Sequence, residues 1–191
     1  MLHDKKRIPV IKSVCAALFL CMLTGCGGSG SADGGIMLID EMAQIDFDID
    51  YPVGQITKEV TVTQDFISNA NVLKQIWLYG ATYMRENTAT IQVRLYHGDT
   101  PGEADTVMLA EWTIDSSTME DNSIIKLDVP ESEKNTGLSG EHCLIEISSP
   151  DGEPDLSPTF WMTEEDVYPD GHLGISGYEQ YNDLWFQVVG E

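Results

Sequence analysis

Apolar and polar residues alternate along most of the chain, and this pattern predicts β-strands throughout residues 53–191. Nine segments of roughly four to eight residues are rich in the β-branched and aromatic side chains that strands favour. They are Ile56–Thr63, Val72–Tyr79, Thr90–Tyr96, Met108–Ile114, Ile124–Val129, His142–Ser148, Phe160–Met162, His172–Ser176 and Leu184–Val189. Turn sequences such as Pro150-Asp151-Gly152 separate them. With no amphipathic helical window after residue 55, the sequence predicts an all-β fold, a single antiparallel β-sandwich of jelly-roll type.

The first 25 residues have a different pattern, in which a basic patch precedes a continuous apolar run. The patch is Lys5-Lys6-Arg7, and the run extends from Val14 to Leu23. That run is about half of the roughly 20 residues needed to span a bilayer, as is typical of a signal peptide. It ends in Leu23-Thr24-Gly25-Cys26, where two small residues directly precede a cysteine.

These last four residues resemble the lipobox of bacterial lipoproteins. In that family the cysteine is acylated, by palmitate among other chains, and cleavage makes it the first residue of the mature protein. The resemblance implies a signal peptide at residues 1–25 and a lipid anchor at Cys26, on the extracytoplasmic face of the cell membrane. Two acyl chains give stable anchoring, at about 0.8 kcal/mol for each buried CH₂ group. A plain secretory signal that leaves Cys26 as a free thiol is the alternative.

Residues 26–52 are predicted to form the lipidated N-terminus and a flexible acidic tether. Residues 27–35 are almost all glycine and serine, and a flexible chain of that length reaches about 15–18 Å. Farther on, Ile45, Phe47 and Ile49 alternate with aspartates, which is typical of a half-buried extended segment. The predicted domain order is therefore signal peptide, tether, and a sandwich at residues 53–191.

Charge and cysteine content restrict the function further. The chain has 32 Asp and Glu residues against 10 Lys and Arg, a formal net charge of −22. Such a chain repels nucleic acids, so a nucleic-acid partner is excluded. The charge indicates either affinity for cations and basic partners or simply a well-solvated surface. Only Cys143 of the four cysteines falls in the predicted sandwich, and its strand pattern predicts a small buried hydrophobic residue.

Residues 54–189 also resemble a β-sandwich module of bacterial envelope proteins associated with polysaccharide assembly or glycosyltransferases. The positions that carry the resemblance are Gln64-Asp65-Phe66, Thr82–Asn87, Asp121-Asn122, Gly140, Ser148-Ser149 and Asp183-Leu184-Trp185-Phe186. The resemblance implies a jelly-roll-like fold and a cell-surface role linked to glycans, and it implies no catalytic residues. Transmembrane helices, which accompany the module in larger proteins, are not expected in this chain.

Motifs for catalysis or metal binding are missing from the sequence, so we expect no enzyme activity, no metal and no cofactor. There is no G-x-S-x-G, no H-E-x-x-H and no P-loop. The acidic run Glu164-Glu165-Asp166, together with Asp170, leaves three interpretations open. It is a solvated turn, the carboxylate pair of a glycosidase, or a set of oxygen ligands for Ca²⁺.

Aromatic residues in the loop-rich segment 158–181 give the best indication of a ligand site; they are Trp161, Tyr168, Tyr178 and Tyr181. Flat aromatic faces match the apolar face of a sugar ring, and neighbouring carboxylates accept hydrogen bonds from its hydroxyl groups. The predicted ligand-binding residues are Trp161, Tyr168, Tyr178, Glu164, Glu165 and Asp166. The alternative is that these rings belong to the core or anchor loops.

Two functions follow as hypotheses from this sequence. The first is a surface-tethered lipoprotein whose non-catalytic β-sandwich binds cell-envelope or environmental carbohydrate. The second is an interaction or structural lipoprotein that docks onto a membrane-protein partner. In both, the chain binds the lipid bilayer through acylated Cys26.

Overall fold

The computed structural model describes residues 36–39 and 50–191. In these ranges the chain forms β1 (Ile36–Ile39), β2 (Tyr51–Pro52), β3 (Val62–Ile67), β4 (Leu73–Ala81), β5 (Thr90–His97), β6 (Val107–Asp115), β7 (Ser123–Asp128), β8 (His142–Ser148), β9 (Thr159–Met162), β10 (Leu173–Ile175), β11 (Tyr178–Glu179) and β12 (Phe186–Gly190). A 3₁₀ turn, Ser116–Thr118, lies between β6 and β7. No helix within these ranges is long and apolar enough to cross a membrane.

The strands form two six-stranded sheets in which all pairs are antiparallel. The first sheet has the order β1-β12-β4-β9-β2, and β7 pairs with β4 as well. The second has the order β11-β10-β3-β8-β5-β6. Because successive strands repeatedly change sheet, the chain follows a jelly-roll-like route. The predicted all-β antiparallel sandwich is therefore confirmed.

The core lies between the sheets and is built by alternation along the strands. In β3 the buried positions are Val62, Gln64 and Phe66, and in β5 they are Ile91, Val93 and Leu95. Each strand thus turns every second side chain inward, as a half-buried strand must. Gln64 is the polar residue among these inward-facing positions, and the hydrogen bonds of its amide are described below.

Cys143 lies in this core, at an inward position of β8, and is fully buried. Burial raises the pKa of its thiol to about 12, and the charge of Glu141 adds to the increase. The thiol therefore stays protonated and unreactive at neutral pH. The prediction of a small buried hydrophobic residue is confirmed.

One predicted strand is wrong in its position. The segment Ile56–Thr63 was expected to be a strand, but β3 begins only at Val62. Ile56 is fully buried, yet its amide donates to the carbonyl of Pro158 in a loop contact. Loop packing, and not strand pairing, thus accounts for the apolar residues before Val62. The sequence did not predict β11, because both of its residues are exposed and apolar and polar positions do not alternate there.

Two strands lie before the predicted start of the sandwich. β1 pairs with β12 and β2 pairs with β9, and both fall within residues 26–52. All twelve strands belong to one compact unit, Gly34–Glu191, while a second unit, Met1–Asp33, lies outside the described residues. The predicted signal peptide, lipidated Cys26 and residues 45–49 also lie outside them, so the domain boundaries stay predictions.

The strand registers distinguish the two ends of the sandwich. Ile36 pairs with Gly190, which in turn pairs with Leu73 at the start of β4. We call this the Ile36 end. β4 runs from there to Ala81, so residues 82–87, which follow it, lie at the opposite end. We call residues 82–87 the Tyr83 loop.

Candidate functional site

One segment connects the two sheets along the edge of the sandwich and shapes a pocket there. It runs from residue 163, after β9, to residue 172, before β10, and we call it the crossing segment. Buried Asp183 holds it in place: one carboxylate oxygen, Oδ2, accepts hydrogen bonds from the amides of Val167 and Tyr168, each at 2.8 Å. The crossing segment is thus attached to the residues that lead into β12.

The amide of Gln64 connects Asp183 to the core of the second sheet. Its Nε2 donates to Asp183 Oδ1 at 3.1 Å, and its Oε1 accepts from the amide of Leu184 at 2.8 Å. Burial raises the pKa of the Asp183 carboxyl, although the hydrogen bonds from Tyr168, Val167 and Gln64 oppose that rise. A buried polar network of this kind is stable because its members are hydrogen-bonded.

Tyr168 and Gly171 press the crossing segment against β3. The Tyr168 hydroxyl accepts from the amide of Ile67 at 3.1 Å, and its ring meets Phe186 edge-on with centroids 5.8 Å apart. A Cβ atom at Gly171 would collide with the carbonyl oxygen of Asp65. Glycine is therefore required at position 171 by the close approach of two backbones.

Next to this contact is a surface pocket of about 160 Å³. Carboxylate, amide, imidazole and phenol groups line it, a set that both donates and accepts hydrogen bonds. The lining residues are Asp166, Gly171, His172, Glu179, Gln180, Tyr181 and Asn182. They come from the crossing segment and from the chain around β11, so the pocket forms where these two parts meet.

His172 occupies the junction between these parts. Its Nδ1 lies 3.7 Å from Asp65 Oδ2, and its Nε2 lies 3.8 Å from Glu179 Oε1. The backbone amide of His172 also donates to Asp65 Oδ1 at 2.6 Å. Three carboxylates, those of Asp65, Asp166 and Glu179, thus lie at or beside the pocket with one imidazole.

Asn182 fixes the other side of the pocket. Its Nδ2 donates to the carbonyls of Thr163 and Glu164 and to the hydroxyl of Tyr51, at 2.7–2.9 Å. These bonds join the crossing segment, β2 and the chain before β12. Because this side chain is already held on three sides, that wall needs little reorganisation to receive a ligand.

Two tyrosines near the pocket are strongly exposed. Tyr181 lines it and is 83% exposed, and Tyr178 of β11 is 76% exposed. An aromatic ring that is left in solvent beside a polar pocket offers a flat surface to a ligand. The turn between β10 and β11 lies at the end opposite the Ile36 end, because Ile175 pairs with Val62 and β3 runs from there toward Leu73.

The six predicted ligand-binding residues do not all meet in this pocket. Asp166 lines it, while Glu164 and Glu165 are exposed on the same crossing segment. Trp161 lies in β9 and not in a loop; it packs against the core, and its Nε1 donates to Asn122 Oδ1 at 3.0 Å. Tyr168 is half-buried, with the contacts described above, and Tyr178 stands exposed in β11.

The lining residues outside the predicted ligand-binding set are mostly consecutive. Glu179, Gln180, Tyr181 and Asn182 directly precede Asp183, and His172 comes from the other side of the hairpin. A run of hydrogen-bonding side chains with an aromatic residue was the available signal. This run lies next to Asp166 because Asp183 holds the crossing segment by hydrogen bonds, and no local sequence pattern reveals those bonds. Within the described ranges, no group of three or more His, Cys, Asp or Glu residues is placed to hold a metal ion.

The Tyr83 loop presents a second exposed surface. Tyr83 and Met84 both adopt left-handed backbone conformations, with φ of 57° and 55°, and Met84 is 90% exposed. Asp121 Oδ1 accepts from the amide and hydroxyl of Thr82 at 2.6 and 2.9 Å. Arg85 lies under the Tyr83 ring, 4.9 Å from its centroid. The loop is thus pinned in a conformation that is costly for non-glycine residues.

No family model and no curated protein matches this chain. Three solved structures are similar to it in part. The first contains the cysteine protease and lectin-like domains of Cwp84, a surface layer associated protein of Clostridium difficile, with 13% identity and a TM-score of 0.41 over 68% of this chain. The chain spans only 31% of that structure.

The other two structures are less similar in TM-score. Xylanase10C from Cellvibrio japonicus in complex with xylopentaose has 9% identity and a TM-score of 0.28, over 66% of this chain and 20% of its own. A carbohydrate-binding module specific for non-crystalline cellulose has 12% identity and a TM-score of 0.25, over 69% and 62%. Likeness at this level carries no argument about what this chain binds.

Proposed function

We propose that this protein is a membrane-anchored lipoprotein whose β-sandwich binds carbohydrate, without catalysis, in the pocket at the crossing segment. The pocket itself carries the proposal. It combines an exposed aromatic ring, that of Tyr181, with the amides of Gln180 and Asn182 and the carboxylates of Asp166 and Glu179. A sugar presents both an apolar ring face and many hydroxyl groups, so it needs both kinds of partner.

The size of the pocket suits one sugar ring. A cavity of about 150 Å³ is large enough to hold a benzene ring, and this pocket has about 160 Å³. A single six-membered ring therefore fits, and the rest of an oligosaccharide extends over the surface. Tyr178, exposed on β11, directly precedes the lining residue Glu179.

The position of β1 supports the anchoring part of the proposal. A tether from Cys26 enters the sandwich at Ile36, whereas the Tyr83 loop and the β10–β11 turn lie at the opposite end. A lipid anchor at Cys26 therefore holds the Ile36 end toward the membrane on its extracytoplasmic face. The β10–β11 turn then points outward, and the pocket lies at the other end of that hairpin, beside Asp65.

Replacing Tyr181 by alanine tests the binding site. The full-length protein, purified in detergent, is screened on a glycan array, and the glycans found are measured by calorimetry. We expect Tyr181→Ala to weaken binding about five- to 150-fold, by analogy with the roughly 1–3 kcal/mol of aromatic stacking on a base. Its melting temperature should not change, since the ring is exposed.

The matched control is Tyr83→Ala, which removes an exposed tyrosine at the Tyr83 loop. It should leave glycan binding intact. Equal binding by wild-type protein and Tyr181→Ala would exclude the pocket, and release of new reducing ends from a bound oligosaccharide would show that the module is an enzyme.

The anchor is tested separately. We expect mass spectrometry of the membrane fraction to find an acylated cysteine at the N-terminus of the mature protein, formed from Cys26. Cys26→Ala should remain uncut and unlipidated. An unmodified N-terminus at another residue would exclude lipid anchoring at this position.

The Tyr83 loop is the observation that favours the second function, docking onto a membrane-protein partner. Met84 and Leu156 are exposed apolar side chains, and the carbonyl of Leu156 accepts from the amide of Thr88 just after the loop. Exposed apolar groups held on rigid loops are typical of protein contacts. In intact cells that incorporate a photoreactive methionine analogue, we expect wild-type protein to crosslink to the partner through position 84. Crosslinking that is equally strong in Met84→Ser protein would contradict this function.

A further inference from the structure

The pocket carries an excess of negative charge. Asp166 and Glu179 line it, Asp65 lies beside it, and His172 is the basic residue among them. The two nitrogens of His172 already face Asp65 and Glu179, at 3.7 and 3.8 Å. Even with a protonated His172, carboxylates exceed cations at this site. The side chain of Asp166 has no ion-pair partner within residues 50–191.

Lysine and arginine do not correct this excess. Neither residue type is found among the described lining residues. The side chains of Lys58, Arg85 and Arg94 are instead paired with carboxylates elsewhere, and Lys126 lies over the Trp77 ring. With a formal net charge of −22 for the whole chain, the surrounding field is negative as well.

We propose that the pocket selects sugars that carry a free amine, such as a hexosamine residue without its N-acetyl group. This inference rests on the proposed function and names the class of carbohydrate. An ammonium group compensates the charge that Asp166 and Glu179 leave unbalanced, and its three N–H donors match their oxygens. An exposed ring such as that of Tyr181 adds a cation–π contribution to an ammonium group at its face.

The same charges act against acidic sugars. A uronic acid would bring a further carboxylate into the pocket that Asp166 and Glu179 line, and like charges repel each other. Neutral hexoses keep the stacking and hydroxyl contacts, with neither the attraction of an ammonium group nor the repulsion of a carboxylate. The expected order of affinity is therefore amino sugar, then neutral sugar, then uronic acid.

Calorimetry on the full-length protein in detergent tests the first part of this order, the preference for the amine. The probes are a glucosamine trisaccharide, the corresponding N-acetylated trisaccharide and a glucose trisaccharide, each at pH 7 and at two NaCl concentrations. We expect the free-amine trisaccharide to bind about five- to tenfold more tightly than the other two, which corresponds to two partly exposed charge contacts. The preference should shrink at high salt.

Asp166→Asn should remove most of the preference for the amine, measured as the ratio of the two affinities. The affinity for the glucose trisaccharide should fall much less, because the amide keeps a hydrogen-bonding group in the pocket. Its matched control is Asp170→Asn, a neighbouring exposed aspartate that does not line the pocket, which should change neither value.

Equal affinity for the three trisaccharides overturns the selectivity and leaves carbohydrate binding standing. Loss of all binding on addition of EDTA also overturns it, because a metal ion would then be the cation that the carboxylates hold. If no sugar binds, the selectivity and the proposed function both fail.

Discussion

The crossing segment and the Tyr83 loop are built in the same way but in different surroundings. Each is held by one aspartate that lies far from it in sequence, Asp183 for the crossing segment and Asp121 for the Tyr83 loop. Asp183 is 1% exposed, and its burial raises the pKa of its carboxyl. Burial pushes the pKa of Asp121 upward as well, but hydrogen bonds from Thr82, Met84 and Tyr83 outweigh it, so that pKa is lowered.

The difference between Asp183 and Asp121 shows how burial changes the importance of an aspartate that accepts hydrogen bonds from a loop. Near the surface, water can replace a lost bond, so an aspartate that pins a loop stabilises it at little cost. In the interior a lost acceptor leaves amides without any partner. The scaffold of the pocket therefore depends much more on a single side chain than the Tyr83 loop does.

The largest expected effect is that of Asp183→Ala. This change leaves the amides of Val167 and Tyr168 and the Nε2 of Gln64 without their acceptor. At roughly 1–3 kcal/mol for each buried unsatisfied group, we expect the free energy of unfolding to fall by about 3–4 kcal/mol. Urea denaturation measures this quantity.

Asp121→Ala is the matched change at the Tyr83 loop, and we expect a loss of about 1–2 kcal/mol, since the Asp121 carboxylate is only partly buried and water can take its place. Equal losses for the two variants would contradict the role that we assign to burial.

Gly171→Ala should destabilise the crossing segment alone. The added methyl group would collide with the carbonyl oxygen of Asp65, so two backbones must separate. Overpacking of this kind costs about 1–3 kcal/mol, and we expect a loss near 2 kcal/mol together with weaker glycan binding. Gly102→Ala, at a position with no atom near the added Cβ, is a control for loss of a glycine, although its positive φ adds some strain of its own. A fully stable Gly171→Ala protein would show that the close approach is not required.

Met84→Gly should increase the free energy of unfolding, whereas the changes above decrease it. Met84 adopts φ of 55°, a conformation that costs a non-glycine residue roughly 1–2 kcal/mol and glycine almost nothing. Glycine also makes the unfolded chain more flexible, so we expect a net gain of only about 0.5 kcal/mol. Thermal unfolding measures it, and a loss of stability would mean that Met84 makes packing contacts that its exposure hides.

The smallest expected effect is on the pH dependence of stability. A raised pKa means that folded protein holds the Asp183 proton after unfolded protein has lost it, so this group makes stability fall as pH rises above about 4. A lowered pKa means that the Asp121 contribution is lost as pH falls below about 4. Melting temperatures from pH 3 to 7 should show that Asp183→Asn removes the first trend and Asp121→Asn the second. If both variants changed the slope of melting temperature against pH in the same direction, the contrast between Asp183 and Asp121 would be contradicted.

Alternation was enough to predict the sandwich, because a strand that is buried on one face must repeat every second residue. It placed β8 at His142–Ser148, as observed. It failed before Val62, where Ile56 is buried by a loop. The pocket was beyond this kind of inference: Asp166 was selected, but its position beside His172 depends on contacts such as Gln64 with Asp183 and Asp65 with His172. Those pairs are more than a hundred residues apart in sequence.

The pairing of β1 with β12 also has a mechanical consequence. If the protein is anchored at Cys26 and holds a glycan at the pocket, tension between them pulls Ile36 away from the sandwich along the axis of β1. The hydrogen bonds of β1 are then sheared together and not opened one by one. Should this short strand give way, its 4 residues would be released and would lengthen the tether by roughly 13–14 Å, at about 3.3–3.6 Å per residue. β1 would then detach at a lower force than the one that unfolds the rest of the sandwich.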